Sequence, residues 1–267
     1  MPSPVYRLAV DDVIYSLRDV AQRRPASIFD CHFLAMFREL HRDFGTCVTL
    51  NIFYETDEGD FTLKDFPADY RSEWEANASW LRLAFHARKE HPGRPYAGAP
   101  IATFVEDYEA VKTEVLRFAG PEAWAPPCII HFAMIPDGAL PTMAEWGVRY
   151  LGGLFRRQDK VWSGHYGVAD NLAMKAAGND LITDPASGIT LSCIDLVINN
   201  CPVDQVASEL AKREDTPARP GKIDLLTHEQ YSWPFYSRYL PDHRERITAA
   251  IRWCADRGYS PTTWLAP

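Results

Sequence analysis

Short apolar runs alternate along the chain with amphipathic segments, which is the pattern of strand–helix units around a parallel sheet. The apolar runs predict buried strands at Val5–Val10, Cys47–Tyr54, Leu81–Phe85, Cys128–Ile135, Tyr150–Leu154, Ile189–Ile198 and Ile223–Leu226. Apolar side chains at helical spacing predict longer helices at Ser27–Phe44, Thr103–Ala119, Val203–Glu214 and Asp242–Arg257. Most of the predicted strands are therefore followed by a helix.

This element order favours one α/β domain, a complete or imperfect (β/α) barrel that covers residues 1–267. The segment Thr262–Leu265 is expected to close the barrel. A doubly wound open sheet is the main alternative, but no glycine-rich phosphate loop follows the first strand. No internal repeat or linker divides the chain.

Composition narrows the classes of partner. The chain has 28 basic and 36 acidic residues, hence a formal net charge of −8, so we expect no nucleic-acid partner. No signal peptide and no apolar run of about 20 residues is present, which favours a cytoplasmic protein without a membrane partner. The six cysteines lack CxxC spacing and are interpreted as reduced thiols. The composition is also compatible with a homo-oligomer.

Ionisable side chains follow several of the predicted strands. The pair Asp11-Asp12, His86, His131 and His228 each lie at or near the carboxyl end of an apolar run. In barrels and open α/β sheets this edge carries the active site. The sequence therefore predicts a site at the carboxyl ends of the strands.

The consecutive carboxylates Asp11 and Asp12 suit two different tasks. Neighbouring strand residues point to opposite sides, so one carboxylate could bind a metal ion while the other acts as a base. The alternative interpretation is a turn with an aspartate cap, which is equally compatible with this pair.

A second group follows the third predicted strand. If the chain makes one helical turn there, His86 and Glu90 share a face at i and i+4. Pro92 disfavours helical geometry at His91, so that His91 aims elsewhere unless the segment is irregular. The alternative is a solvated loop of mixed charge.

Late in the chain, His228 ends another apolar run and suits a general acid. Its alternative role is a histidine that caps the next helix. Candidate substrate contacts are His131, Trp162, His165, Tyr166 and Tyr231. Aromatic rings can stack on a sugar ring, although they are more often simply packed.

The order of these motifs resembles the polysaccharide deacetylase (NodB-homology) superfamily of carbohydrate esterases, from Val5 to Leu265. The resemblance implies a distorted (β/α)7 TIM-like barrel that binds one divalent metal ion. It implies Asp11 as the catalytic base, Asp12 and His86 as metal ligands and His228 as the acid. Glu90 stands where the superfamily has its second metal histidine, so Glu90 is taken as the third ligand, with His91 as the alternative. The superfamily's arginine motif is absent between Pro126 and Pro136.

The expected activity is metal-dependent hydrolysis of an N-acyl group, acetyl in the first instance, on an amino sugar. The oxygen-rich ligand set favours Zn²⁺, with Mn²⁺, Fe²⁺ or Co²⁺ as alternatives. Two other functions stay open: a carbohydrate-binding barrel that has lost its chemistry, and a metal-dependent hydrolase of small linear or cyclic amides.

Overall fold

The computed structural model describes residues 3–158, 161–162, 164–178, 181–214 and 221–263, with the backbone alone for residues 158, 161 and 162. The strands in these ranges are β1 Val5–Val13, β2 Val48–Phe53, β3 Leu81–Ala87, β4 Tyr150–Gly153, β5 Arg157–Gln158, β6 Val161–Trp162, β7 Ile182–Thr183, β8 Thr190–Cys193, β9 Leu196–Val197, β10 Lys222–His228 and β11 Ser260–Pro261. The helices are α1 Tyr15–Arg23, α2 His32–Phe44, α3 Arg71–Asn77, α4 Ile101–Phe118, α5 Leu140–Glu145, α6 Asp170–Ala177, α7 Val206–Glu214 and α8 His243–Asp256.

A parallel sheet in the order β3–β2–β1–β10–β9 forms the largest part of the wall. Its register places Leu8 of β1 between Val48 of β2 and Leu225 of β10. Every residue of β2 is buried, as expected for a parallel strand that is covered on both faces. The sheet thus lies at the centre of the hydrophobic core.

Backbone hydrogen bonds continue this sheet into a ring. The N–H of Ala125 donates to the carbonyl of Leu83 in β3 at 2.9 Å, and the N–H of Gly152 in β4 donates to the carbonyl of Cys128 at 2.8 Å. Strand β4 pairs in parallel with β8, and the chain continues into β9, which pairs with β10. The segment 125–128 therefore takes the wall position between β3 and β4. The predicted α/β fold, a distorted barrel, is confirmed.

One strand prediction needs correction, and a second is tested only in part. The predicted strand Cys128–Ile135 is wrong, because residues 128–130 do not form a strand and the chain turns at His131, where Phe132 and Ala133 have positive φ angles of 57° and 50°. The C-terminal segment pairs, as β11, beside the start of β1. Leu265 lies outside the described residues, so the prediction that Thr262–Leu265 closes the barrel is not tested at that end.

The second helix shows how local sequence sets element boundaries. Ser27 caps a single 3-10 turn, Ile28–Asp30, and α2 begins only at His32. Gly45, with φ 68°, ends the helix and donates its N–H to the carbonyl of His41, as its position predicts. The predicted helix is therefore correct at its end and too long at its start.

The cysteines are all free thiols, and Cys31, Cys128, Cys201 and Cys254 are buried. Among the described residues, no helix combines the length and the apolar character that crossing a bilayer requires.

The barrel interior contains a buried ion pair between Arg7 of β1 and Asp224 of β10. Nε of Arg7 donates to Oδ1 of Asp224 at 2.9 Å and Nη2 donates to Oδ2 at 2.7 Å. Both side chains are fully buried. A Cβ on Gly152 would lie 2.3 Å from Nη2 of Arg7, so that only glycine fits beside the guanidinium.

Removing one partner of this pair is expected to destabilise the fold. The Arg7→Leu variant leaves the Asp224 carboxylate buried without its cation, which costs about 3–5 kcal/mol of unfolding free energy. Urea unfolding of Arg7→Leu and of Arg23→Leu, whose pair with Asp19 is half exposed, measures the difference. Equal losses in the two variants would contradict a structural role for the buried pair.

Candidate active site

Strand β1 ends with two consecutive carboxylates, Asp11 and Asp12. Asp11 lies opposite His228 of β10. The pairing of β1 with β2 is interrupted between Val10 and Val13, and Asp12 has a φ of 61°. Such an irregularity redirects side chains. Both carboxylates are therefore buried and line one cleft, although an unbroken strand would point them to opposite sides.

Three side chains from different parts of the chain converge beside this irregularity. Nε2 of His86 lies 3.1 Å from Oδ1 of Asp12 and 3.1 Å from Nδ1 of His131. Nδ1 of His131 lies 3.3 Å from the same oxygen of Asp12. All three residues are buried. The three atoms form a nearly equilateral triangle.

The outer ring nitrogens fix which nitrogen of each histidine faces the triangle. Nδ1 of His86 donates to the carbonyl of Ile129 at 2.8 Å, and Nε2 of His131 donates to the carbonyl of Glu90 at 3.1 Å. The inner nitrogen of each neutral imidazole is then an unprotonated lone-pair donor. Metal-bound histidines are held by such contacts to carbonyl groups.

The triangle has the dimensions of a zinc site. With bonds of about 2.0–2.1 Å in a tetrahedral site, neighbouring ligand atoms lie about 3.3 Å apart. Among the described residues, Asp12, His86 and His131 are the group whose ligand atoms all lie within 4.8 Å of one another. One carboxylate and two imidazoles leave a fourth position open, which is typical of catalytic rather than structural zinc.

Electrostatics support a charged Asp12 beside the two imidazole rings. Burial alone would raise the pKa of Asp12, but the close contacts with His131 and His86 hold it well below its ordinary value. Burial lowers the pKa of His86. For His131, burial opposes protonation, and the contact with Asp12 raises the pKa nevertheless. The site thus offers one carboxylate charge to a cation.

Asp11 has a different environment. Burial and the charge of Asp12 raise its pKa well above the ordinary value, against a hydrogen bond from Asn51. Nδ2 of Asn51 donates to Oδ1 of Asp11 at 2.7 Å. The other oxygen, Oδ2, lies 3.9 Å from Nε2 of His86, which places it beside the triangle. A carboxyl group of raised pKa in this position can hold a proton.

The structure places Glu90 and His91 differently from the sequence expectation. The segment after β3 is an irregular loop, so that the i, i+4 geometry of His86 and Glu90 does not form. The Glu90 carboxylate accepts from Nε2 of Gln230 at 2.9 Å, and the same nitrogen donates to Asp12 at 2.8 Å. His91 is exposed and bonds Asp57. The geometry therefore favours His131 over either residue as the third ligand.

Burial and the charge of Asp12 also raise the pKa of Glu90 to about 7. Glu90 lines the cleft beside the triangle, and its backbone carbonyl orients His131. Glu90 is thus a neighbour of the three ligand atoms rather than one of the ligands.

His228 stands on the opposite side of Asp12 from the two clustered histidines. Its Nε2 lies 4.0 Å from Oδ2 of Asp12, and its Nδ1 donates to Oδ1 of Asn199 at 2.9 Å. Asn199 is an amide, which adds no negative charge to hold an imidazolium. Burial lowers the pKa of His228. Because Nδ1 is held by Asn199, Nε2 is the ring nitrogen that faces the cleft.

Behind His228 lies a second buried histidine, His243 of α8. Its Nε2 lies 2.6 Å from Oγ1 of Thr227 and its Nδ1 lies 2.7 Å from Oγ of Ser232. Burial, and then the charges of His228 and Arg246, lower its pKa to about 4.

The stability of the protein is expected to fall on acidification through this histidine. Folded His243 stays neutral down to about pH 4, whereas unfolded His243 takes up a proton below pH 6.5, so the unfolded state binds more protons. At about 1.4 kcal/mol per pKa unit, the loss between pH 6.5 and 4 is about 3 kcal/mol. Unfolding free energies of wild type and His243→Gln across this range test it: the variant should show the shallower slope, and parallel slopes would contradict the assignment.

Glu229 fixes the end of β1 to the end of β10. Its buried carboxylate accepts the backbone N–H groups of Ile14 at 2.6 Å, Tyr15 at 2.8 Å and Ser16 at 2.6 Å, at the start of α1. Free N–H groups at a helix start need acceptors. Glu229 thus holds the chain that follows Asp11 and Asp12 in place.

The triangle lies in a cleft of about 560 Å³ at the carboxyl ends of the strands. His131 and Tyr231, two of the predicted substrate contacts, line this cleft. The side chain of Trp162 lies outside the described residues.

Tyr166 and His165 have other positions. Tyr166 is fully buried, and its hydroxyl donates to the carbonyl of Gly152, so it packs behind the wall and its predicted substrate contact is wrong. Nδ1 of His165 accepts the N–H of Gly167 in its own turn, and His165 is not among the residues that line the cleft. Both residues follow Gly164, on which a Cβ would lie 2.6 Å from the carbonyl oxygen of Phe132.

Sequence reasoning missed His131 as a ligand and did not identify Asn199 or Gln230. The available signal for His131 was its place directly after an apolar run, which His86 and His228 share. Asn199 likewise follows an apolar run, whereas the loop position of Gln230 gave no signal.

No family model matches the sequence, and no curated protein sequence matches it. The structure is similar to that of the Bc1960 peptidoglycan N-acetylglucosamine deacetylase, with a TM-score of 0.51 and 12% identity over 98% of this chain and 87% of that chain. Peptidoglycan deacetylase PdaC from Bacillus subtilis matches with a TM-score of 0.43 and 11% identity over 97% of this chain and 87% of that chain. A CE4 family pseudoenzyme from Bacillus anthracis matches with a TM-score of 0.46 and 7% identity over 97% of this chain and 63% of that chain. At these identities the similarity concerns the fold: the chain has the fold of the polysaccharide deacetylases, as the sequence resemblance implies.

Proposed function

We propose that the protein is a metal-dependent hydrolase that removes an N-acyl group, acetyl in the first instance, from an amino sugar. The observation that carries the proposal is the triangle of Asp12, His86 and His131 with Asp11 on one side and His228 on the other. The match in fold to a peptidoglycan N-acetylglucosamine deacetylase supports the choice of substrate class.

Asp12, His86 and His131 would hold the cation, which this donor set fits in atom type, spacing and tautomer. A bound divalent ion supplies Lewis acidity: it polarises an acyl carbonyl and lowers the pKa of water. Zn²⁺ suits two imidazoles and one carboxylate best, with Mn²⁺, Fe²⁺ and Co²⁺ as alternatives. This ligand set replaces the sequence-based set with Glu90.

Asp11 is the candidate general base. Its Oδ2 is beside the triangle, while Oδ1 accepts from Asn51, which fixes the orientation of the carboxylate. A base of raised pKa accepts a proton from attacking water more readily than an ordinary aspartate does. The same environment keeps that proton on Oδ2 until it is passed on.

His228 is the candidate general acid. Its Nδ1–H is held by Asn199, so Nε2 is the nitrogen that can carry a proton into the cleft. Amide hydrolysis needs this proton because an unprotonated amine is a poor leaving group. Asp11 and His228 thus divide the two proton transfers between opposite sides of the ligand triangle.

Metal analysis combined with acetate release tests the proposal. The purified protein is expected to hold about one divalent ion per chain, to release acetate from N-acetylated amino sugars, and to lose and regain this activity on chelation and addition of Zn²⁺ or Co²⁺. A metal-free protein that binds acetylated sugars without releasing acetate would make it a binding barrel. If the protein hydrolyses only small amides, the proposed type of reaction is kept but the proposed substrate class is wrong.

A further inference from the structure

Three arginines surround the mouth of the cleft. Arg94 lies in the loop after β3, Arg156 in the loop after β4 and Arg238 in the loop after β10, and all three line the cleft that contains the ligand triangle. They therefore approach the cleft from three different strand ends. No lysine is among the described residues that line it.

This concentration of positive charge contrasts with the chain as a whole, whose formal net charge is −8. Several arginines elsewhere have acidic partners: Arg88 pairs with Glu55 and Asp107, and Arg117 with Glu114. Across the described ranges, the side chains of Arg94 and Arg238 form no hydrogen bond or ion pair, and both residues are exposed. Two guanidinium groups are thus available at the rim of an active-site cleft.

The backbone of Arg94 adds an independent observation. Its φ is 59°, in the left-handed region that a long side chain adopts only at a cost in free energy. Gly98, on the same loop, has a φ of 74°, which a glycine adopts without this cost. Backbone strain of this kind clusters at active sites and ligand-binding sites.

Among the described residues, the acidic side chains of the cleft form no ion pair with Arg94 or Arg238. Asp12 belongs to the ligand triangle, Asp11 accepts from Asn51, and Glu90 accepts from Gln230. These carboxylates are buried or half-buried, whereas the arginines are at the mouth. A substrate that spans the cleft would therefore place its acyl group at the triangle and its other end among the arginines.

We propose that the rim formed by Arg94, Arg156 and Arg238 binds an oxyanion of the substrate, a carboxylate or a phosphate, so that the substrate is an anionic N-acyl amino sugar. The inference deepens the proposed function and rests on it. Guanidinium groups bind such oxyanions by paired, parallel hydrogen bonds. The half-exposed ring of Phe132, which also lines the cleft, offers an apolar face for a sugar.

Equilibrium binding and turnover separate this inference from the proposed function. The full chain with its metal, as the Asp11→Asn variant to prevent turnover, is titrated with N-acetylglucosamine, its 6-phosphate and its 3-O-lactyl ether, which carries a carboxylate. Each charge-assisted contact is worth about tenfold in Kd, so the phosphate or the carboxylate should bind at least about tenfold more tightly than the neutral sugar. The tighter of the two identifies the anion.

The variants Arg94→Gln and Arg238→Gln should each weaken binding of the anionic sugar by about tenfold and leave the neutral sugar unchanged. Arg252→Gln, an exposed arginine of α8 outside the cleft, is the matched control and should change neither. Raising the salt concentration from about 50 to 500 mM should reduce the preference, because exposed charges are screened.

Three results would overturn the arginine rim as an anion site. The neutral and anionic sugars could bind equally well, or neither anionic sugar could bind. The third is that Arg94→Gln and Arg238→Gln weaken the binding of all sugars alike. Acetate release by the wild type reports on the proposed function separately. If the anionic sugars bind preferentially but no acetate is released, the anion site is supported and the proposed hydrolase activity is rejected.

Discussion

The His131→Gln variant is expected to lose its metal ion and its activity, while Glu90→Gln keeps the metal. His131 contributes Nδ1 to the triangle, whereas the Glu90 carboxylate bonds Gln230. Loss of an outer contact alone weakens metal binding about 10- to 100-fold, so loss of a ligand should weaken it at least about 100-fold. Metal content after dialysis, measured by mass spectrometry, gives the result.

The two variants are matched because both replace a side chain of the same cleft by glutamine. Circular dichroism establishes whether each variant is folded. A His131→Gln protein that keeps its metal while Glu90→Gln loses it would restore the ligand set expected from the sequence.

The Asp11→Asn variant is expected to bind the metal as tightly as the wild type and to turn over about 10²–10⁴-fold more slowly. Asparagine has the shape of aspartate and can still accept the hydrogen bond from Asn51, but it cannot take a proton from water. Metal content and acetate release, measured on the same preparation, separate the two effects. The exposed Glu122→Gln variant serves as control.

A loss of metal in Asp11→Asn would make Asp11 a ligand rather than a base. Wild-type turnover by this variant would remove Asp11 from the chemistry altogether. Neither outcome is compatible with the division of roles between Asp11 and Asp12.

The strand ends were predictable because the signal is local. A run of apolar residues that stops at Asp11, His86 or His228 reports both a buried strand and the edge where it ends. Parallel strands bring these ends together, so the sequence could place three site residues near one another without any knowledge of the loops.

Contacts that depend on loops and distant residues were not predictable in this way. The third ligand was sought at Glu90 by assuming a helical turn, but the chain there is irregular and a turn at residues 131–133 brings in His131 instead. Helix α1 was not predicted at all. Its start has no local cap, since the acceptor of its free N–H groups is Glu229, more than 200 residues away in the chain.

A crystal structure of the protein as purified, with anomalous scattering recorded at the zinc, iron, cobalt and manganese edges, tests the ligand assignment itself. We expect a single peak about 2.0–2.2 Å from Oδ1 of Asp12, Nε2 of His86 and Nδ1 of His131. An ion bound instead by the Glu90 carboxylate, or no ion in protein that hydrolyses N-acetylated sugars, would contradict the assignment.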